Sequence, residues 1–237
     1  GHNSAKYISV VSEAMKYATI DKDKKVGDPK FIDVPVEELI SKKYAKKLSD
    51  LIKSGEKANV ARFDTSSIES KDTTHVSVVD TKGNAVSLTH SLGSSSGVIT
   101  EGLGFMYNNC MMVFDPRPGN VGSLAPGKTR FTSMCPTIIK NADKLKLIVG
   151  APGGTTITMG VLQTILNVLD FGMSASDAVS APRFITTSNT IELTNRILRK
   201  TEKSLQKFND HELPAQMMSG WFADGLQAHR TSSSVLN

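Results

Sequence analysis

The chain has 237 residues, 39% of them hydrophobic and 22% charged, with a net charge of +5, enough to bury a sizeable core in one or two domains. The positive balance does not mark a nucleic-acid binder. Its lysines are interleaved with acids, as in Lys22-Asp23-Lys24-Lys25 and Lys46-Lys47-Leu48-Ser49-Asp50, and no polybasic arm or aromatic interleaving accompanies them, so they describe a solvated face.

Asn3 or Ser4 can cap a first helix whose apolar positions Tyr7, Val11, Ala14, Met15 and Ala18 share one face. After a loop rich in Asp, Lys and Gly, Pro35 suits the first turn of a second helix, with Glu37 and Glu38 near its positive end. Ile40, Tyr44, Leu48, Leu51 and Ile52 line that helix. Residues 55–72 are polar and irregular and read as an exposed linker. From Thr73 the pattern becomes alternating: Thr73 to Asp80, a turn at Asp80-Thr81-Lys82-Gly83-Asn84, then Ala85 to His90, so residues 75–90 read as a hairpin. The stretch from Gly93 to Gly127 is rich in Gly, Ser and Pro, with one apolar strand near Phe105-Met106-Tyr107. Leu145 to Val149 is a compact strand running into Gly150-Ala151-Pro152-Gly153-Gly154. Beyond it, Ile157, Val161, Leu162, Ile165, Leu166 and Leu169 mark a long, largely buried helix. Ser174-Ala175-Ser176-Asp177 resembles a capping box for another helix, ended by Pro182, and propensity places a last helix over roughly residues 194–208. These elements predict a layered α/β or α+β domain.

No apolar run reaches bilayer-spanning length and the first residues lack the character of a signal peptide. The two cysteines, Cys110 and Cys135, have neither metal-site spacing nor a disulfide framework and read as free thiols. With no phosphate loop, dinucleotide fingerprint or metal-ligand cluster, no cofactor is expected.

Thr73 carries the chemical interest. A threonine hydroxyl is a poor nucleophile without a base beside it. If the Asp72–Thr73 peptide bond is cut, Thr73 gains an α-amine that titrates at roughly 7.7–8.0 and can take the hydroxyl proton. Taken alone, Thr73-Thr74-His75 equally well opens an ordinary β-strand. Pro152-Gly153-Gly154 has two readings as well: a tight strand-to-helix turn, or a pair of backbone amides aimed at a developing oxyanion.

The ordered set Thr73-Thr74-His75, Asn108-Asn109, Pro126-Gly127-Lys128, Thr132-Ser133-Met134-Cys135-Pro136 and Gly150 to Gly154 resembles the small subunit of the γ-glutamyltranspeptidases, N-terminal-nucleophile hydrolases. Gly27-Asp28-Pro29-Lys30-Phe31 with Val34-Pro35-Val36 resembles the C-terminal end of that family's large subunit. The resemblance covers nearly the whole chain, thinning after Arg183. It implies the four-layer αββα sandwich, and a division into residues 1–72, the end of a large subunit, and residues 73–237, a small catalytic subunit. It also implies autocatalytic cleavage before Thr73 and a partner in the remainder of the large subunit; any targeting signal would lie there, leaving the compartment open. By the same resemblance Thr73 is the nucleophile, Ser91 stands where a threonine hydroxyl supports it, and Gly153 and Gly154 form the oxyanion hole. Thr132 and Ser133 match paired hydroxyls that hold the substrate α-carboxylate. His75 is structural in that pattern, and His90 reads as a strand-end surface residue.

The donor pocket departs from the pattern. Gly93 stands where the family has Asn, and Cys110 and Val113 stand where it has Gln or Glu and then Asp, which hold the substrate α-amine. A carboxylate facing an ammonium ion contributes ~1.5–3 kcal/mol, so its loss predicts glutamyl recognition weaker by one to two orders of magnitude. The expected activity is hydrolysis of γ-glutamyl amides such as glutathione, or transfer of the acyl group to an amino acid or peptide. The alternatives are an acylase with a non-glutamyl acyl substrate, a non-catalytic truncated homologue, and a thiol enzyme using Cys110 or Cys135.

Overall fold

The computed structural model describes residues 1–61 and 73–206 in full and the backbone of 207–208, 215–218 and 227–230. Helix α1 (Ala5–Lys25) starts at Ser4, whose hydroxyl accepts a hydrogen bond from the Tyr7 amide. Its buried positions are Ile8, Ser12, Glu13, Met15, Lys16 and Thr19, which corrects the expected face, since Ala14 and Ala18 are exposed. The displacement has a polar cause. Glu13 is buried because one of its oxygens pairs with the Lys16 ammonium at 2.9 Å while the other accepts from the Ala58 amide at 2.8 Å, so a charged pair occupies positions an apolar count would assign to solvent.

The expected second helix is two. Helix α2 (Val36–Leu39) begins after Pro35 with Glu37 and Glu38 in its first turn; α3 (Lys42–Lys53) begins anew at Ser41, whose hydroxyl caps the Tyr44 amide at 3.0 Å. That second cap turns Ile40 outward, 73% exposed, against the expectation that it lined the helix. The linker is also not wholly exposed: Ala58 and Val60 are buried, and the Val60 amide donates to Asn189 at 2.8 Å. Residues 62–72, with the proposed cleavage point at Asp72, lie outside the described residues.

Strands β1 (Thr73–Val79) and β2 (Ala85–Ser91) pair antiparallel from Thr73↔Ser91 to Val79↔Ala85. Their turn is held by the Asp80 carboxylate, which accepts from the amides of Lys82 and Asn84 and from the Asn84 side chain, with Gly83 at φ +82°. A second hairpin, β3 (Ser95–Ile99) with β4 (Met106–Asn108), occupies the glycine-rich stretch, where only the second strand was expected, and a 3-10 turn follows at Cys110–Val113. Strands β5 (Thr137–Asn141) and β6 (Lys144–Gly150) are antiparallel neighbours, and the turn at Gly154–Thr156 leads into α4 (Ile157–Leu169). Helix α4 buries Ile157, Val161 and Val168 but leaves Leu162 and Leu169 exposed, so two of its expected core positions face outward. Ser174 caps α5 (Ala175–Ser180) by accepting from the Asp177 amide and donating to its carboxylate. Strands β7 (Phe184–Ile185) and β8 (Ile191–Thr194) precede α6 (Arg199–Phe208), which starts later than expected because β8 takes Thr194 and a turn, closed by the Ile197 amide on the Thr194 carbonyl, follows it. Strand β9 (Ala215–Met218) joins β8 in parallel, and β10 (Gln227–Arg230) pairs with β6.

The result is a mixed α+β arrangement with two apolar clusters. One joins α1, β7, β8 and α6 through Ile8, Met15, Phe184, Leu193 and Leu205. The other lies between β6 and the helices α4 and α5, through Leu147, Val149, Ala151, Ile157, Val161 and Ala178. The β1–β2 hairpin covers the opposite face of β6, where the His75 ring lies against Gly150. Helices, sheet and hairpin therefore stack in that order. The outer face of the hairpin remains open, with Val76, Val78, Val86 and Leu88 each 43–55% exposed.

Candidate active site

Thr73 and Ser91 form the last rung of the hairpin, and their hydroxyl oxygens lie 2.8 Å apart. The pairing follows from strand alternation: both residues sit on the inner face with His75, Ser77, Ser87 and Thr89. The Ser91 oxygen also accepts from the Gly93 amide at 2.9 Å, which consumes one lone pair and leaves its proton available to the Thr73 oxygen.

Two contacts fix the direction of β6 against this hairpin. Ser87, paired with Ser77, donates to the Val149 carbonyl at 3.3 Å, and His75 lies against Gly150. One step forward on β6 thus corresponds to a step from Ser77 towards Thr73 on β1. The residues after Gly150 emerge at the end of the hairpin where Thr73 and Ser91 stand. There Gly153 and Gly154 adopt φ of +132° and +57°, conformations that L side chains avoid. Their turn is secured by Thr156, whose amide and hydroxyl both donate to the Gly153 carbonyl. Among the described residues neither the Gly153 nor the Gly154 amide donates a hydrogen bond.

Ser133 is half-buried and donates to the Gly154 carbonyl at 2.5 Å, tying its loop to the diglycine turn. Thr132 is exposed and accepts from the Met134 amide at 3.2 Å. The expected hydroxyl pair is therefore split: Ser133 belongs to the diglycine turn, whereas Thr132 closes its own loop. His75 is 2% exposed, with Nδ1 2.8 Å from the Thr89 hydroxyl and Nε2 3.1 Å from that of Ser77. Burial holds its pKa below the ordinary histidine value, and His90 lies exposed on the opposite face.

The departures at Gly93 and Cys110 meet in space. A Cβ at Gly93, itself at φ +74°, would fall 3.0 Å from the Cys110 sulfur. The thiol thus occupies the room that a side chain at position 93 would need, a reciprocity that linear spacing could not show. The second cysteine is a weak thiol nucleophile: burial pushes Cys135 up to about 11, leaving little thiolate at neutral pH. Among the described residues no group of His, Cys, Asp and Glu is placed to hold a metal ion. The sequence reading missed Gly150 and the hydroxyls of Ser77, Ser87 and Thr89; their signal was the polar alternation on both strands.

A family model for gamma-glutamyltranspeptidase matches residues 1–232. The chain belongs to the gamma-glutamyltranspeptidase family. Among similar family relatives, the Acylase ACY 1 proenzyme of Pseudomonas sp. is 40% identical over 207 residues, covering 86% of this chain and 37% of that protein. The Glutathione hydrolase proenzyme of Escherichia coli is 36% identical over 199 residues, covering 78% of this chain and 34% of that protein. The chain thus spans little more than a third of the length of these relatives, both named as proenzymes. Among solved structures, a mutant Helicobacter pylori gamma-glutamyltranspeptidase superposes with TM-score 0.59 at 32% identity, covering 66% of this chain and 90% of that one. A cephalosporin acylase from Bacillus halodurans superposes with TM-score 0.70 at 25% identity, covering 88% of this chain and 38% of that one. Among the described residues no helix is long and apolar enough to cross a membrane.

Proposed function

We propose that this chain carries the catalytic centre of an amide hydrolase or acyltransferase with Thr73 as an N-terminal nucleophile, generated by cleavage after Asp72. The 2.8 Å contact between the Thr73 and Ser91 hydroxyls, at the end of the hairpin where the diglycine turn emerges, carries the reading. In this scheme the Thr73 oxygen attacks the substrate carbonyl carbon while its proton passes to its own α-amine. The Ser91 proton steadies the charge growing on the Thr73 oxygen, and the Gly153 and Gly154 amides receive the oxyanion. Collapse breaks the C–N bond, the departing amine takes the proton back from the ammonium, and an ester remains on Thr73. Water or an acceptor amine then releases the acyl group. Ser133 and Thr132 would receive a substrate carboxylate, with Ser133 giving up its bond to the Gly154 carbonyl to do so.

The proposed organisation divides residues 1–72 from a catalytic unit of 73–237. Its partner is the remainder of a large subunit from the same precursor, and the four-layer sandwich is completed by a helical layer over Val76, Val78, Val86 and Leu88. The relatives named as glutathione hydrolases support γ-glutamyl amides as acyl donors. A second reading, supported by the apposed Gly93 and Cys110 with Val113 and by the acylase relative, is an acyl chain that keeps the carboxylate and lacks the α-ammonium.

The deciding experiment uses the full-length precursor. Intact-mass analysis should show two fragments split before Thr73, and Thr73→Ala should abolish both the split and turnover. An uncut precursor that still turns over would end the proposal. Turnover of γ-glutamyl p-nitroanilide against glutaryl p-nitroanilide, identical but for the amine, then separates the substrates. Preference for the glutaryl compound removes the glutathione reading, and preference for the γ-glutamyl compound removes the acylase one.

A further inference from the structure

From Thr73 to Ser77, every inner position of the hairpin is polar, and so are the opposing positions Ser87, Thr89 and Ser91. A face packed between layers ordinarily carries apolar side chains; here Val76, Val78, Val86 and Leu88 stand on the open face, and apolar side chains return to the inner face at its far end, at Val79 and Ala85. The inner polar groups are matched to one another: His75 bridges the Thr89 and Ser77 hydroxyls, and Ser87 reaches the Val149 carbonyl. At the centre, the imidazole fills the seat that the facing strand leaves empty. A Cβ on Gly150 would lie 2.1 Å from His75 Cε1, 2.3 Å from Nδ1 and 2.6 Å from Nε2.

We propose that the His75–Gly150 contact is the spacer that sets the distance between the nucleophile and the oxyanion donors, which makes both of them positioning residues. The inference rests on the reading of Thr73 as nucleophile and of Gly153 and Gly154 as donors. Thr73 lies two residues along β1 from His75, on the same face, and Gly153 lies three residues beyond Gly150, towards the same end of the hairpin. Any change in layer separation at this contact therefore reaches the gap in which the acyl carbon must sit. The ring cannot rotate aside to accommodate a methyl group without breaking the hydrogen bonds that its two nitrogens make to the part-buried Thr89 and Ser77 hydroxyls.

A methyl carbon needs ~3.5–4.0 Å to its neighbours, so alanine at position 150 must push the layers apart by about 1 Å or more. A displacement of that size costs on the order of 10²-fold in rate when it separates reacting groups. The test measures kcat, KM and the unfolding midpoint for Gly150→Ala, His75→Ala and the double variant in the full-length, processed enzyme. Gly150→Ala should lose about 10²-fold in kcat with KM changed less than about threefold. The double variant should regain at least about tenfold over Gly150→Ala, because the methyl group enters space vacated by the ring. Wild-type kcat in Gly150→Ala overturns the proposal, as does a double variant that recovers the unfolding midpoint without recovering kcat. If Gly150→Ala does not fold, a folded and active double variant supports the spacer, and an unfolded or inactive one beside a folded His75→Ala refutes it. Thr73→Ala run in parallel keeps the two ideas apart. Its activity would sink the nucleophile reading, whereas an inactive Thr73→Ala beside an unimpaired Gly150→Ala sinks only the spacer.

Discussion

Replacing Ser91 with alanine tests the proposed chemistry at its smallest part. The serine oxygen accepts the Gly93 amide at 2.9 Å and lies 2.8 Å from the Thr73 oxygen, so its proton can be donated to the atom that gains negative charge as the threonine hydroxyl proton leaves. A hydrogen bond to a charged group contributes about 1.5–3 kcal/mol, and each 1.36 kcal/mol is tenfold in rate. Ser91→Ala should therefore lower kcat by about 10- to 150-fold while leaving KM within a factor of about three, because the bond strengthens only as charge develops. The Gly93 amide also loses its acceptor, which should cost about 1 kcal/mol of stability. Ser91→Thr keeps the hydroxyl and should retain most of the activity. The assay is steady-state kinetics on processed enzyme with the better anilide substrate, alongside thermal unfolding. A Ser91→Ala enzyme with kcat within about twofold of wild type would refute the reasoning, since no charge could then be growing on an oxygen 2.8 Å away.

Val113→Asp should raise the preference for the γ-glutamyl over the glutaryl anilide by about tenfold to a hundredfold, the value of a restored carboxylate–ammonium contact; an unchanged ratio would place position 113 outside the acyl pocket. His75 is held neutral by burial, so the unfolded chain takes up its proton first. Its contribution to stability is complete above about pH 6.5 and lost as pH falls towards the lower folded value. His75→Gln should flatten the acid side of a plot of unfolding midpoint against pH, with His2, also held low by burial, present in both proteins. Cys110→Ser and Cys135→Ser should each keep wild-type processing and at least about a third of wild-type kcat. Loss of processing in either would reopen a thiol mechanism.

The local elements were legible wherever one residue acts on its near neighbours. Ser174 and Asp177 cap α5 within one turn of backbone, and Asp80 with Gly83 closes the hairpin within five residues, so no distant contact could override them. The reading failed where polar residues are buried by remote partners. Glu13 and Lys16 changed the inward face of α1 because the Ala58 amide lies forty-five positions along the chain. Ile40 turned outward because Ser41 starts a separate helix.

At the site, the residue types were written in the chain: a threonine opening a strand, a serine ending its partner, a diglycine at a strand-to-helix turn, and the motif order that marks the gamma-glutamyltranspeptidase family. Their convergence was not. Register places the Thr73 and Ser91 oxygens 2.8 Å apart. The direction of β6 against the hairpin, read from His75 at Gly150 and Ser87 at Val149, brings the diglycine to the same end. Alternation along a strand tells which residues share a face, but only the packing of one layer on another decides which face is covered. Here that choice turned the hydroxyls of Thr73, Ser77, Ser87, Thr89 and Ser91 inward and left Val76, Val78 and Val86 outside, because glycine at position 150 admits an imidazole that no other residue would allow.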